Sequence, residues 1–594
     1  MCGLAGEVRF DGSSPDLAVV TRMMAPLARR GPDGSGAWSS GPAALVHRRL
    51  KIIDLSERGA QPMTDPQLGL TGVFNGCVYN YRELRDELTA AGHRFFSTSD
   101  TEVLLKAYAQ WGARCVDRFL GMFAFAIVER DSGRLVLGRD RLGIKPLYVA
   151  ERPGRLRFAS TVPALLAAGD VDTAIDPVAL HHYMTFHSVV PAPRTILAGV
   201  RKLPPATVRT VEPDGTSTDE VYWRPSFTRS PDRAGWTADD WRDAVRERLR
   251  LAVARRTVAD VPVGVLLSGG LDSSLVVALL AEQGQTGLQT FSVGFEDAGG
   301  ESGDEFAYSD LVAAHFGTEH RQIRVAGERL LPAVDDAVDA MAEPMVSHDA
   351  VAFHLLSEEV SRSVKVVQSG QGADEVFAGY DWYPPLAGVP RDRVRQAYAG
   401  VFFDRPHRAL ADILSPEVLA HGDPSTAFVD AHLGAPGADT ALDAALRLDT
   451  TVMLVDDPVK RVDNMTMAWG LEARVPFLDH ELVELAAACP PELKLAHGGK
   501  GVLKEAARGL VPDEVIDRTK GYFPVPAIRH LSGAFLDRVR DALSDPAAKE
   551  RGLFRPEWVE SRLAAPNEGR TTLGSNALWQ VALLEMWLQA RGVR

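Results

Sequence analysis

An apolar run, Val261 to Leu267, passes through Ser268-Gly269-Gly270-Leu271-Asp272-Ser273-Ser274 into a second apolar segment, Leu271 to Gln283. The shorter run suits a strand and the longer one a helix, with the glycine pair as the turn between them. The pattern then repeats. Gln289 to Phe295 reads as a strand, Glu305 to Phe316 as a helix, Gln322 to Val325 as a strand, Ala350 to Arg362 as a helix and Val364 to Gln368 as a strand. Strands and helices alternating at this spacing predict an open parallel sheet with helices on both faces. Before residue 205 the texture differs. Val73 to Tyr79, Met122 to Val128, Leu135 to Leu137 and Leu156 to Phe158 are short runs divided by Gly, Asp and Arg turns. Only Tyr81 to Ala91 and Asp100 to Gln110 carry a helical period there, so this part is strand-rich. Pro204, Pro205, Pro213, Pro225 and Pro231 lie among Thr, Ser and Asp and predict a linker over 206–240. The expected units are therefore 2–205, the linker, and 241–594, whose later part is mostly helical in pattern.

The 594 residues would fill about four average domains, or two large ones. With 65 basic against 79 acidic residues, the formal charge of −14 argues against a nucleic-acid partner, which needs a basic face. No apolar stretch reaches the ~18 residues that span a bilayer. Met1-Cys2-Gly3-Leu4-Ala5-Gly6-Glu7 lacks the basic start of a signal peptide. The four cysteines, Cys2, Cys77, Cys115 and Cys489, are too scattered for a disulfide framework, so a cytoplasmic location is expected.

The Ser268–Ser274 loop has the makings of a phosphate cradle. Paired glycines let backbone N–H groups approach an anion, Ser268, Ser273 and Ser274 add hydroxyls, and the helix N-terminus adds positive potential. It is neither GxxxxGK[ST] nor GxGxxG. An acid inside such a loop makes sense with a cation between it and the phosphates, so Asp272 is a candidate Mg²⁺ ligand. Val366-Val367-Gln368-Ser369-Gly370-Gln371-Gly372-Ala373-Asp374-Glu375 repeats the strand, glycine turn and acid. Taken alone, Asp374 and Glu375 read as helix N-terminal acids.

Cys2 becomes the first residue once methionine is removed. Its α-amine, with a pKa near 7.7–8.0, can then take the thiol proton, as in N-terminal nucleophiles. Alone it proves nothing. It is followed by Arg29-Arg30-Gly31-Pro32-Asp33, Arg48-Arg49-Leu50-Lys51-Ile52-Ile53-Asp54, Phe74-Asn75-Gly76 and Ser99-Asp100. An Arg and an Asp can hold the two ends of an amino acid, and Asn75 with the Gly76 N–H can form an oxyanion hole.

These segments together resemble the glutamine-dependent asparagine synthetase family over nearly the whole chain. Met1-Cys2-Gly3, Arg30-Gly31-Pro32-Asp33, Asn75-Gly76, Gly121 to Phe125 and Asp140 to Tyr148 are similar to its glutaminase half. Ser268 to Ser274, Ser369 to Tyr380, Leu471 to Asp479 and Arg518-Thr519-Lys520 are similar to its synthetase half. The resemblance implies an αββα N-terminal-nucleophile glutaminase over 2–205, and a nucleotide α-hydrolase-like parallel sheet with a helical portion over 241–594. It also implies that Cys2 releases ammonia from glutamine. A carboxylate is adenylated with ATP and Mg²⁺, pyrophosphate leaves, and tunnelled ammonia displaces AMP. By match, Arg49, Leu50, Ile52, Asn75, Gly76 and Asp100 hold glutamine. Leu267, Ser268, Gly269, Gly270, Asp272, Ser273, Val293, Ser369 and Gly370 hold ATP and pyrophosphate. Asp272 and Asp374 bind the metal, and Lys520 stabilises charge in adenylation and amide formation. The implied partners are small molecules, with no nucleic acid or membrane, and the resemblance leaves room for a homodimer.

Three positions depart from the family's pattern. Asn75-Gly76 is followed by Cys77 where the family keeps a glutamate that helps bind the substrate ammonium. Ser369-Gly370 is followed by Gln371 where it keeps a glutamate, its candidate base. The segment after Lys520 reads Gly521-Tyr522-Phe523-Pro524-Val525-Pro526, where Gly-Phe is expected closer to the lysine. With Gln371, Cys77 and His348-Asp349-Ala350-Val351-Ala352-Phe353, the chain looks most like N-acetylglutaminylglutamine amidotransferases, which cap a dipeptide osmolyte as its amide. The alternative acceptor is aspartate. A β-lactam-type cyclising enzyme would typically have lost the N-terminal cysteine. A non-catalytic, glutamine-binding regulatory protein would not need Asp272, Asp374 and Lys520.

Overall fold

The computed structural model describes residues 2–296, 303–347, 349–519, 521 and 530–594. The short runs of the first part build two six-stranded antiparallel sheets. One runs, edge to edge, Arg201–Lys202, Tyr148–Arg152, Arg155–Ala159, Gly3–Arg9, Ala43–Arg49 and Gly34–Ser40. The other runs Ser217–Val221, Thr207–Val211, Leu135–Arg139, Gly121–Glu129, Leu70–Val78 and Met63–Asp65.

Side chains alternate across a strand, so each sheet can serve two cores. Leu4, Val8, Leu45 and Phe158 of the first sheet share one buried cluster with Val73, Ala126 and Leu137 of the second. On the outer face of the first, Ala5, Ala44 and Val46 join Val20, Leu165 and Leu180 from helices Leu17–Arg22, Val162–Ala167 and Pro177–Thr185. On the outer face of the second, Phe74, Phe123 and Phe125 join Leu84, Leu104 and Leu105 from helices Tyr81–Ala90 and Asp100–Trp111. The layers are α, β, β, α, as expected.

The expected linker over 206–240 is too wide. Thr207–Val211 and Ser217–Val221 form a hairpin that pairs with Leu135–Arg139 and closes the edge of the second sheet. Helix Ala238–Arg255 already begins the second half. The prolines mislead because Pro204 and Pro205 precede the first strand and Pro213 sits in the hairpin turn, positions where a missing N–H does no harm.

The third sheet is parallel, in the order Glu319–Val325, Gln289–Phe295, Val263–Leu266, Val366–Gln368, Glu472–Arg474. By chain order that is 3-2-1-4-5, and it reverses between Val263–Leu266 and Val366–Gln368. A crevice opens at such a switch point beyond the carboxyl ends of the strands. Its two central strands, Val263–Leu266 and Val366–Gln368, are mainly apolar because both faces are covered: Leu266 and Val367 enter one core, Val265 and Val366 another. The edge strand Glu319–Val325 is polar and largely exposed. Helices Leu271–Glu282, Phe306–Phe316 and Asp349–Ser361 follow the expected positions.

Helix Lys460–Met467 is preceded by two π-helical stretches, Asp449–Met453 and Val455–Val459, and Pro458, which has no N–H to donate, lies in the second. Among the described residues no helix is long and apolar enough to cross a membrane. Buried ion pairs join the two halves: Asp463 receives Arg30 at 2.8 Å and Lys145 at 3.2 Å, and Lys202 reaches Glu343 at 2.9 Å and Asp456 at 2.7 Å.

Candidate active site

Two sites form, one in each half. The first lies at the end of strand Leu70–Val78. Cys2, Arg49, Leu50, Ile52, Gly76 and Asp100 line one cavity of about 30 Å³, room for no more than a water molecule. It is too small for glutamine as it stands, so the substrate needs its walls to part. The Cys2 N–H donates to Asn75 Oδ1 at 2.9 Å. That leaves Asn75 Nδ2, a buried donor with no partner among the described residues. Such a donor is costly unless something accepts from it, and an oxyanion does. Gly76 is required here because a Cβ would stand 2.1 Å from Met122 O.

Arg49 braces the neighbouring loop, donating to Ser56 O at 2.8 Å and to Asp54 O. Burial raises the Cys2 thiol above its ordinary pKa, while Arg49 pulls it back. Asp100 opens its helix behind the Ser99 cap and accepts from Val78 N–H at 3.2 Å. Burial, with the charge of Glu472 in support, pushes its carboxyl up to about 6.

The same cavity is walled by residues that the sequence reading left aside. Glu472 and Arg474 come from the edge strand of the other half's sheet. Arg474 Nε donates to Glu472 Oε1 at 2.6 Å, and Nη1 to Arg256 O and Val258 O at 2.9 and 2.8 Å. Arg474 Nη2 points at Cys77 Sγ, 3.8 Å away. Cys77 thus faces a fixed cation, and burial pushes its thiol far above the ordinary range. Leu471 to Asp479 was recognised only as a family match, and nothing in the spacing signalled that it reaches the Cys2 pocket.

The second site fills the crevice of the parallel sheet, a cavity of about 600 Å³. Leu267, Ser268, Gly270, Asp272, Ser273, Val293, Ser369, Gly370, Gln371 and Asp374 all line it. Gly269 lies behind the wall with φ +73°, where a Cβ would stand 2.6 Å from Ser309 N. Ser268 Oγ and Ser273 Oγ meet at 3.1 Å, and Gly270 N–H donates to Ser268 Oγ at 3.3 Å. The two glycine loops touch, since a Cβ on Gly370 would come within 2.9 Å of Asp272 Cβ.

Asp272 and Asp374 do converge. Lys500 Nζ sits between them, 2.6 Å from Asp272 Oδ2 and 2.9 Å from Asp374 Oδ1. The two aspartates outweigh burial and hold the Lys500 ammonium well above its ordinary pKa. Two carboxylates aimed at one point beside a phosphate loop are a donor set of the kind that binds Mg²⁺. Lys500 was missed because it follows His497-Gly498-Gly499, in a segment with no strand or helix signal. It takes the left-handed conformation, φ 56°, at the start of helix Gly501–Ala507. Arg518 pairs with Glu305 and donates to Gly269 O at 3.1 Å, tying the approach to Lys520 onto the phosphate loop. Lys520, His348 and the departing Tyr522-Phe523-Pro524-Val525-Pro526 lie outside the described residues.

Comparison with known proteins gives the same two halves. Residues 244–589 match the asparagine synthase family, and residues 1–223 match a glutamine amidotransferase domain. The chain is 31% identical to the glutamine-hydrolyzing asparagine synthetase 1 of Bacillus subtilis over 99% of its own length and 96% of that protein's. It is 32% identical to the glutamine-hydrolyzing asparagine synthetase 3 of the same organism, covering 88% and 87%. It is also 28% identical to the amidase chry2 of Gibberella zeae, covering 89% of each chain.

Proposed function

The chain belongs to the asparagine synthetase family, and from that premise we propose that this glutamine-hydrolysing, asparagine synthetase-like amidotransferase amidates an acylated dipeptide, N-acetylglutaminylglutamine, with ATP as the activating substrate. Once Met1 is removed, the Cys2 amine takes the thiol proton and the sulfur attacks the side-chain amide carbon of glutamine. Asn75 Nδ2 and the Gly76 N–H receive the developing oxyanion, and Asp100 and Arg49 hold the ammonium and carboxylate ends. Ammonia leaves, and water hydrolyses the thioester. In the crevice the acceptor carboxylate attacks the α-phosphorus of ATP. The Ser268–Ser273 loop and Lys500 hold the departing pyrophosphate, and ammonia then displaces AMP at the activated carbonyl. Asp272 and Asp374 would hold Mg²⁺, which when bound would supply charge neutralisation at the phosphates. Lys520 is proposed as a further cation there.

The observation that carries the acceptor reading is Gln371 in the wall of that cavity. A neutral amide donates and accepts hydrogen bonds and does not repel a carboxylate. A glutamate ~4 Å from the acceptor carboxylate would oppose it by about 1–4 kcal/mol between water-like and surface-like screening. A second reading, aspartate as acceptor, draws support from Asp349 and Asp381 in the same wall, which suit an α-ammonium.

Purified enzyme with ATP, glutamine and each acceptor, read by mass spectrometry, separates the two. The dipeptide amide is expected with the higher kcat/KM, and Gln371→Glu should raise the dipeptide KM. Faster formation of asparagine would replace this reading with the aspartate one.

A further inference from the structure

Away from both sites, three segments bring metal-binding side chains to one point. His181 lies on helix Pro177–Thr185 of the first half. His407 opens the turn His407–Leu410, and Asp423 caps helix Pro424–Gly434, both in the second half. His181 Nε2 stands 2.9 Å from His407 Nδ1 and 3.9 Å from Asp423 Oδ1, and the three ligand atoms all lie within 4.8 Å of one another. We propose that His181, His407 and Asp423 form a divalent transition-metal site, Zn²⁺ by preference, that clamps the two halves together.

The ligands are held by their neighbours. His181 Nδ1 meets Ser425 Oγ at 2.7 Å, and the same hydroxyl meets His182 Nδ1 at 2.9 Å. When His181 Nδ1–H donates to Ser425 and Ser425 donates to His182, the lone pair of His181 Nε2 faces the centre. A hydrogen bond on the far nitrogen is the usual way a liganding imidazole is fixed. Asp423 is oriented by Thr426, accepting its N–H at 2.9 Å and its hydroxyl at 2.7 Å. Imidazole and carboxylate together suit Zn²⁺ and its neighbours in the first transition row, not Mg²⁺.

The His181 side chain is fully buried and Asp423 is 34% exposed, so the centre has a dry inner wall and an opening to solvent. A tetrahedral centre with ligand nitrogens at ~2.0–2.1 Å would set them about 3.3 Å apart. The two imidazoles need to part by a few tenths of an ångström, and Asp423 to close by about half of one toward His181 and by up to about 1.5 Å toward His407. Without metal, one ring donates N–H to the other.

The test uses chelator-treated full-length protein with excess Mg²⁺ present, so that the Asp272–Asp374 pair does not take up the probe. One Zn²⁺ per chain should survive desalting, Co²⁺ should give the intense visible bands of a four-coordinate ion, and Zn²⁺ should raise the Tm. His407→Ala and Asp423→Asn, both at the rim, should lose at least 100-fold in Zn²⁺ affinity while glutaminase activity stays unchanged. Ser425→Ala should lose about 10- to 100-fold through ligand orientation alone. Zn²⁺ retained equally by wild type, His407→Ala and Asp423→Asn would overturn the assignment, and so would a wild type that retains none.

Discussion

Lys500 occupies the point on which Asp272 and Asp374 converge, and that position has a measurable consequence. A cation entering the site must displace an ammonium held by two carboxylates at 2.6 and 2.9 Å. At a near-surface dielectric, unit charges ~4 Å apart interact by about 4 kcal/mol, and desolvation of the partly buried pair offsets some of that. If displacement recovers a third of one such pair, about 1.4 kcal/mol, removing the ammonium tightens metal binding tenfold. Lys500→Met should therefore bind Mn²⁺ at least ten times more tightly than wild type in the absence of ATP, read by electron paramagnetic resonance of the free ion. The same variant should lose about 10²-fold in ATP/pyrophosphate exchange, because one cation facing the phosphates is gone. Asp272→Asn in the Lys500→Met background should abolish the gain. Unchanged or weaker Mn²⁺ binding in a folded Lys500→Met protein would refute the competition. Full exchange activity would refute the role of Lys500 at the phosphates.

Two further outcomes concern the first site. Cys2→Ala should abolish glutamine-dependent amide synthesis but leave synthesis from ammonium salts largely intact, with product formation measured for each nitrogen source. Equal loss of both would mean that the two sites are not separate. In the same Cys2→Ala protein, glutamine binding should respond to Asp100. Its carboxyl is raised to about 6, so it is charged above that pH and neutral below, where an ordinary aspartate would still be charged. Glutamine affinity by calorimetry should fall about tenfold per pH unit below 6 and stay level above 7. Constant affinity from pH 7 down to 5 would remove Asp100 from the role of ammonium anchor.

The parallel half was readable because its signals are local. An apolar run, a glycine pair and a helix follow one another in the chain, and the switch point between Val263–Leu266 and Val366–Gln368 then places both glycine loops by topology alone. The hairpin at 207–221 was not readable, because its prolines lie in its turns and its second strand, Ser217–Val221, is exposed and polar. Such an edge strand has no hydrophobic period to detect. Lys500 was hidden for another reason. Only tertiary packing against Gly379, whose Cβ would stand 2.2 Å from both Lys500 Cε and Asp374 Oδ1, brings it to the aspartates.

The same distinction explains why Cys77 looked like a loss. Read along the chain, Asn75-Gly76-Cys77 lacks the carboxylate that helps bind an ammonium. In space the pocket has another acid, Glu472, supplied by the other half with Arg474 as its counter-ion. The positive charges around Glu472, Arg474 and Lys145 among them, outweigh burial and hold its carboxyl at about 2, so it is ionised at any working pH. Ion pairing with Arg474 leaves the local charge close to balanced, so Asp100 stays the proposed ammonium anchor. A glutamate at position 77 would instead face Arg474 and compete with Glu472 for it. The strand Glu472–Arg474 that walls the first pocket also pairs with Val366–Gln368, the strand that leads into the Gly370 loop of the second site. Widening the pocket for glutamine by moving that wall would therefore disturb the sheet on which the crevice is built. One strand of the second half thus walls the first site and supports the second.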